Sequence, residues 1–356
     1  MSRFLSAKYA RLIPYVPGEQ PRDTQYVKLN TNESPFPPSP RVVAAAKREA
    51  ARLNLYSDPE CTELKAATAK LYGVRPEQVL PVNGSDEILY FAFLAFGDEE
   101  NPFAFPDISY GFYPVYAEFC RVPKREIPLN SELSVDYTDY LGLDAHILLA
   151  NPNAPTGTCL PVEQIERIVR ANPDRLVIID EAYIDFGGES CVGLIQTYDN
   201  LLVIQTFSKS RSLAGARLGF GIGCEALIRD LSAVKYSINP YNVNRMTQAA
   251  GVAAIEDDAY YKANARAIMK TREQTAKRLR KLGFTVLPSS ANFLFAASGV
   301  LGGEALYREL KARGVLVRHF SKERIRDFCR ITVGTEEQME ILLAHIEAIL
   351  NGKGCQ

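Results

Sequence analysis

The segment TFSKSRSLAGARLGF, residues 206–220, carries the most pointed chemistry in the chain. Lys209 stands just past an apolar run and directly after Thr206 and Ser208, a placement that can desolvate an amine and make it nucleophilic toward an aldehyde. Further on, Arg217 offers a fixed guanidinium fork for a phosphate that the Thr206 and Ser208 hydroxyls can share. In LVIIDEAY, residues 176–183, Asp180 closes a buried strand, where a carboxylate without a partner is costly and calls for a cation. In NGSDEILYFAFLAF, residues 83–96, a glycine turn runs into an apolar helix. The backbone N–H groups of Gly84, Ser85 and Asp86 would then point at an anion, with the helix dipole behind them.

These groups need a rigid frame, and the sequence supplies one. From about residue 60 helical stretches alternate with short apolar runs: ILLA at 147–150, LVIID at 176–180, LLVIQT at 201–206 and LGFGIG at 218–223. That alternation predicts an α/β sheet covered by helices on both faces. The first 40 residues contain Pro14, Pro17, Pro21, Pro35, Pro37, Pro38 and Pro40 and are expected to form an extended arm that packs on another part of the protein. Between Asp258 and Leu282 no Gly or Pro occurs, and Ala265, Ile268, Thr275, Leu279 and Leu282 recur at roughly helical spacing before Gly283, as in a helix that bridges two units. The remainder reads as a smaller α/β unit, with strands near 292–295, 315–320 and 330–333 and a helix around 304–313. A final helix opens at Thr335, with Gln338 placed to complete a capping box. The expected organisation is an arm over 1–40, a large domain over 41–257 and a small domain over 258–356.

Composition narrows the function classes. The chain has 356 residues, 47% of them apolar, enough for a large core and a smaller companion. Its 41 basic and 42 acidic residues balance without a run of like charge, which argues against a nucleic-acid arm or an anionic membrane partner and for a small-molecule ligand. Seven scattered cysteines with no C-x-x-C pair fit reduced thiols. The three histidines, His146, His319 and His345, form no zinc-ligand spacing. No signal peptide and no long apolar span is visible, so a cytoplasmic location is expected.

Taken in order, these segments resemble the fold type I pyridoxal 5′-phosphate (PLP) enzymes over nearly the whole chain. The resemblance implies a large domain with a mostly parallel seven-stranded sheet covered by helices on both faces, plus a smaller α/β domain. It matches Lys209 to the lysine that joins the cofactor aldehyde, Asp180 to the partner of the pyridinium nitrogen, and Tyr183 to the tyrosine that hydrogen-bonds the phenolic oxygen. Gly84, Ser85, Asp86, Thr206, Ser208 and Arg217 become the phosphate cup. Tyr110, in DISYGFY, matches the aromatic residue stacked on the ring. One departure stands out. NPNAPTG, residues 151–157, resembles an N-P-x-N-P-T-G loop, but Ala154 occupies the position of an asparagine that donates to the phenolic oxygen. Either Asn151 or Asn153 reaches in, with Asn153 the candidate substitute, or Tyr183 bears that role alone.

Arg330, in FCRITVGT, matches the arginine that receives a substrate carboxylate, a task suited to a bidentate guanidinium. The segments IPYVPGEQP, KLNTNESP and LYSDPE most closely resemble histidinol-phosphate aminotransferases. That resemblance implies a homodimer in which Tyr56 reaches the partner's cofactor phosphate, and a substrate pocket lined by Tyr15, Asn30 and Asn32. Arg318, in GVLVRHF, lies nearby as a second anion receptor. The reaction implied is transamination between L-histidinol phosphate and 2-oxoglutarate, giving imidazole acetol phosphate and L-glutamate, with Lys209 as general base. Competing readings are an aromatic amino acid aminotransferase, a PLP-dependent decarboxylase of threonine phosphate, and a non-catalytic PLP-sensing domain, which would need an attached DNA-binding module.

Overall fold

Apolar runs without polar alternation bury both faces of a strand, and the four runs named above do so. A computed structural model of the chain describes residues 2–9, 12–20 and 26–353, so Pro21 and Cys355 lie outside the described residues. Its strands and α-helices begin with β1 (Val27–Lys28), α1 (Pro40–Ala50), α2 (Thr62–Tyr72), β2 (Val79–Val82), α3 (Ser85–Phe96), β3 (Phe103–Pro106), α4 (Tyr113–Cys120) and β4 (Lys124–Ile127). Then follow β5 (His146–Ala150), α5 (Val162–Ala171), β6 (Val177–Asp180), β7 (Leu201–Thr206), β8 (Gly219–Gly223), α6 (Glu225–Ile238) and α7 (Arg245–Glu256). The chain continues through α8 (Asp258–Lys281), β9 (Phe284–Val286), β10 (Phe293–Ser298) and α9 (Gly303–Ala312). It closes with β11 (Val315–Leu316), β12 (Arg318–His319), β13 (Phe328–Thr332) and α10 (Glu336–Lys353).

Seven strands form the main sheet in the order β2-β8-β7-β6-β5-β3-β4. All neighbours are parallel except at β8, which runs antiparallel to both β2 and β7. Side chains alternate across the sheet. Ile147, Leu149, Val177, Ile179, Leu201 and Val203 join one core cluster, while Leu148, Ile178, Leu202 and Ile204 join another on the opposite face. Each such buried Leu, Ile or Val contributes about 1.5–3 kcal/mol of hydrophobic stabilisation.

A second, antiparallel sheet has the order β12-β13-β10-β9. Its core draws on Leu306 and Leu310 of α9, Leu342 and Ile346 of α10, and Ala276 and Leu279 of α8. Nearer its start, α8 packs Ala265 and Ile268 with Tyr183, Ala154 and Phe293. One helix thus packs on the loops that follow β5 and β6 and on the second sheet. The capping box at Thr335 is present: the Thr335 N–H donates to Gln338 Oε1 at 2.9 Å, and the Gln338 N–H donates to Thr335 Oγ1 at 3.2 Å.

The arm is anchored by backbone pairing. β1 runs parallel to β11, and the Thr332 N–H donates to the Leu29 carbonyl at 2.9 Å. The single strand expected over 315–320 is two strands in different sheets. Val315 and Leu316 face β1, whereas Arg318 and His319 pair with β13. The arm therefore takes the hydrogen bonds that would have kept this run continuous.

Candidate active site

The carboxyl ends of parallel strands are where side chains and loops converge in an open α/β sheet. Here Thr206 ends β7 and Ser208 and Lys209 follow it, Asp180 ends β6 and Tyr183 follows it, Ala150 ends β5 and Ala154 follows it, Tyr110 follows β3, and Ser85 and Asp86 follow β2. With Ala182, Ala214 and Arg217 they line one cavity of about 160 Å³. A more open cleft of about 850 Å³, bordered by Leu133, Cys159, Leu287 and Arg324, holds no comparable set. Its arginine is already paired with Asp107 at 3.0 Å, and burial pushes the Cys159 thiol up to about 11.

At one end of the cavity the groups favour an anion. The first-turn N–H groups of Ser85 and Asp86 have no partner within α3. Gly84 is a correction to the expected cup, because its N–H already donates to the Val82 carbonyl at 2.9 Å. Its role is space: φ is 79°, and a Cβ there would lie 2.5 Å from Arg217 Nη2. Gly219 of β8 is needed for the same approach, since its Cβ would stand 2.5 Å from the Ser85 nitrogen. Arg217 pairs with Asp86 at 3.0 Å and reaches Ser208 Oγ at 3.5 Å, and the Ser208 N–H donates to Thr206 Oγ1 at 3.1 Å. Asp86 also accepts from the Tyr110 hydroxyl at 2.8 Å, so its carboxylate ties two walls of the cavity together.

At the other end sits Asp180, buried at the close of β6. Burial, reinforced by the charge of Asp86, pushes its carboxyl up to about 6, against opposing hydrogen bonds from the Tyr113 hydroxyl at 2.9 Å and the Ala182 N–H at 3.2 Å. Tyr113 was not singled out in the sequence; its place three residues after Tyr110 in the same aromatic motif was the available signal. The Lys209 Nζ donates to the Thr31 carbonyl of the arm at 3.2 Å and lies 5.6 Å from the centre of the Tyr183 ring.

The side chain of Asn153 does not enter the cavity, which corrects the expected substitution for Ala154. Its amide donates to the Ile108 carbonyl and to Thr156 Oγ1, both at 3.0 Å, and accepts from Ser109 at 2.8 Å. Asn151 is likewise spent on the Leu160 backbone. The group that does meet Tyr183 comes from the arm: Asn32 Nδ2 donates to the Tyr183 hydroxyl at 2.9 Å.

The remaining residues lie on the arm and the second sheet. Tyr15 stacks on Phe112 with ring centres 4.2 Å apart and stands 6.3 Å from Tyr110. Asn30 donates to the Glu19 carbonyl at 2.9 Å, and its own carbonyl accepts from Arg330 at 3.0 Å. Arg318 donates to the carbonyls of Val16 and Pro17 at 3.3 and 3.4 Å, which secures the arm. Arg318 and Arg330 are register partners across β12 and β13. Arg330 pairs with no carboxylate among the described residues, its Nε is shielded without a hydrogen-bond partner, and its guanidinium lies over the rings of Phe293 and Phe320. Tyr56 is not among the residues that line the cavity. It is 80% exposed and stacked on Tyr241 at 4.5 Å.

Among the described residues no cluster of His, Cys, Asp and Glu suits a metal, and no helix is long and apolar enough to cross a membrane. An anion cradle, an amine and a buried carboxylate within one cavity fit PLP, whose phosphate and ring nitrogen need those two ends.

The sequence matches the aminotransferase class I and II family over residues 24–346. It is 50% identical over 350 residues to histidinol-phosphate aminotransferase 1 of Bradyrhizobium diazoefficiens, covering 98% of this chain and 100% of the relative. It is 47% identical over 352 residues to a histidinol-phosphate aminotransferase of Brachyspira hyodysenteriae, covering 98% and 99%. Among solved structures it resembles histidinol-phosphate aminotransferase from Sinorhizobium meliloti in complex with pyridoxal-5′-phosphate, with a TM-score of 0.85, 24% identity and 91% of each chain covered.

Proposed function

The chain belongs to the aminotransferase class I and II family, and from that membership we propose that it transfers the amino group of L-histidinol phosphate to 2-oxoglutarate, a step of histidine biosynthesis. Its cofactor is PLP. When bound, PLP supplies an aldehyde that condenses with amines and a ring that takes up the electron pair left at the substrate carbon.

The residues of the chain divide the remaining work. Ser85, Asp86, Thr206, Ser208 and Arg217 would hold the phosphate, through backbone N–H groups, hydroxyls and a charged fork. Asp180 would hold a proton on the ring nitrogen, which replaces the cation its burial lacks. Tyr183 would donate to the phenolic oxygen, and Tyr110 would pack on the ring. Lys209, once its Nζ is free, would take the proton from the substrate Cα and deliver it to C4′ of the cofactor, on the far side of the bridging nitrogen, acting first as general base and then as general acid.

The observation that carries the substrate class is the Arg318–Arg330 pair. Two like charges directly opposite on neighbouring strands are unfavourable by themselves and call for an anion between or beside them. A phosphate in one half-reaction and a carboxylate in the other would each meet that need. Tyr15, Asn30 and Asn32 place the arm over this end of the site.

The same reading divides the chain into the arm, a large domain to residue 257 and a small domain from residue 258. It also pairs two copies of the chain, with Tyr56 delivered to the partner's phosphate cup. The exposed Leu53, Leu55, Tyr56, Ile238 and Tyr241 support such a contact. Initial rates of glutamate formation test the substrate: kcat/KM for L-histidinol phosphate should exceed that for L-phenylalanine or L-tyrosine by at least about tenfold. A preference for the aromatic amino acids would overturn the assignment.

A further inference from the structure

Ala154 presents a methyl group to the cavity, and the neighbouring Asn151 and Asn153 are spent elsewhere, so Tyr183 is left as the hydroxyl donor on that wall. A phenol has one proton and can also accept, and its direction of donation depends on what fills its lone pair. We propose that Asn32 is a positioning residue that turns the Tyr183 proton into the cavity, where it sets the acidity of the lysine-bound cofactor. This rests on the reading that Tyr183 donates to the phenolic oxygen of PLP.

The support for Asn32 is unusually complete. Its φ of 57° is left-handed, a conformation that persists in a non-glycine residue when its surroundings determine it. Its N–H donates to Thr332 Oγ1 at 2.9 Å, its carbonyl accepts from Asn292 Nδ2 at 3.0 Å, and its Oδ1 accepts from the Thr332 hydroxyl at 3.0 Å. Three anchors therefore leave Nδ2 for Tyr183, at 2.9 Å. The reverse orientation of the amide would strand the buried Thr332 hydroxyl proton, which has no other acceptor among the described residues. An Nδ2 donor fills the lone pair of the Tyr183 oxygen and cannot take its proton, so that proton is directed away from Asn32. Thr332 lies on β13 two residues after Arg330, so the strand that carries an anion receptor also fixes this hydroxyl.

The test is a spectrophotometric pH titration of the holoenzyme, following the absorbance of lysine-bound PLP in wild type, Asn32→Ala, Asn32→Asp, Thr332→Val and Tyr183→Phe, and in Asn32→Ala combined with Tyr183→Phe. Loss of oriented donation leaves more negative charge on the phenolic oxygen and raises the pKa of the linkage. Asn32→Ala and Thr332→Val should each raise it by a fraction of a unit, and Asn32→Asp, which accepts the Tyr183 proton, by about one unit or more. In the Tyr183→Phe background Asn32→Ala should add nothing. A Tyr183→Phe shift with no shift in Asn32→Ala or Thr332→Val overturns the proposal alone, as does an equal Asn32→Ala shift in both backgrounds. No shift in Tyr183→Phe removes the reading beneath it and the proposal together.

Discussion

Tyr113 donates its hydroxyl to Asp180 Oδ2 across 2.9 Å, and this bond helps hold a carboxylate that burial disfavours. The pH dependence of the apoprotein follows. The folded pKa of Asp180, about 6, exceeds its usual value of 3.8, so the native state binds more protons than the unfolded state between those limits. The contribution of Asp180 to stability is fully present below about pH 4 and is lost as pH rises through 6, a change of about 3 kcal/mol. At pH 7.5 or so, denaturant unfolding of PLP-free Asp180→Asn should give a midpoint above that of PLP-free wild type, with the advantage fading toward pH 4. A variant that is less stable at both pH values would contradict this. Cofactor retention should move the opposite way, with Asp180→Asn binding PLP more weakly.

Arg330 should show the same opposition between function and stability. Arg330→Ala removes the fork for the substrate anion, and kcat/KM for the glutamate half-reaction should fall by at least about a hundredfold, as expected for a charged hydrogen-bonded pair worth roughly 3 kcal/mol. Arg330→Lys should recover little of it, because an ammonium lacks the fork. Arg330→Met fills the space beside Phe293 and Phe320 without a shielded cation, so its thermal midpoint should equal or exceed that of wild type. An unchanged kcat/KM in Arg330→Ala would refute the role.

Gly84 and Gly219 test the cradle by geometry instead of charge. A Cβ at Gly84 meets Arg217 Nη2 at 2.5 Å, and one at Gly219 meets the Ser85 nitrogen at 2.5 Å. Gly84→Ala should displace a flexible guanidinium and weaken PLP binding by about tenfold or more, roughly the value of one charge-assisted hydrogen bond. Gly219→Ala meets backbone and should also destabilise the fold. Equilibrium titration of each apoprotein with PLP, followed by absorbance, reads the first effect; wild-type affinity in Gly84→Ala would contradict it.

Some of this was visible in the residues and some was not, for physical reasons. The runs that became β5 to β8 are apolar on both faces, and that pattern has few other solutions in an α/β protein. Lys209, Asp180 and the start of α3 are placed at strand ends, so their convergence follows from the parallel sheet. The direction of β8 was not in its own residues; it follows from the short connection between β7 and β8, which holds turns and a single 3-10 turn over Ala214–Ala216 but no α-helix to cross the sheet. The split of residues 315–320 depended on β1, nearly 290 residues earlier, for which local sequence holds no record. Asn153 failed as a substitute because spacing does not say which side of a loop an amide faces, and the Ile108 carbonyl and Thr156 took it. The Asn32, Thr332 and Tyr183 contacts join positions 151 and 300 residues apart, beyond any local pattern.

Lys209 is proposed to move the proton that converts L-histidinol phosphate to its keto product. A single-turnover absorbance scan reads this step: PLP-loaded enzyme is mixed with L-histidinol phosphate in the absence of 2-oxoglutarate, with Lys209→Ala alongside. The band of lysine-bound cofactor should give way to that of the amine form in wild type only. A band that stays unmoved in wild type, or conversion at a comparable rate in Lys209→Ala, would contradict it.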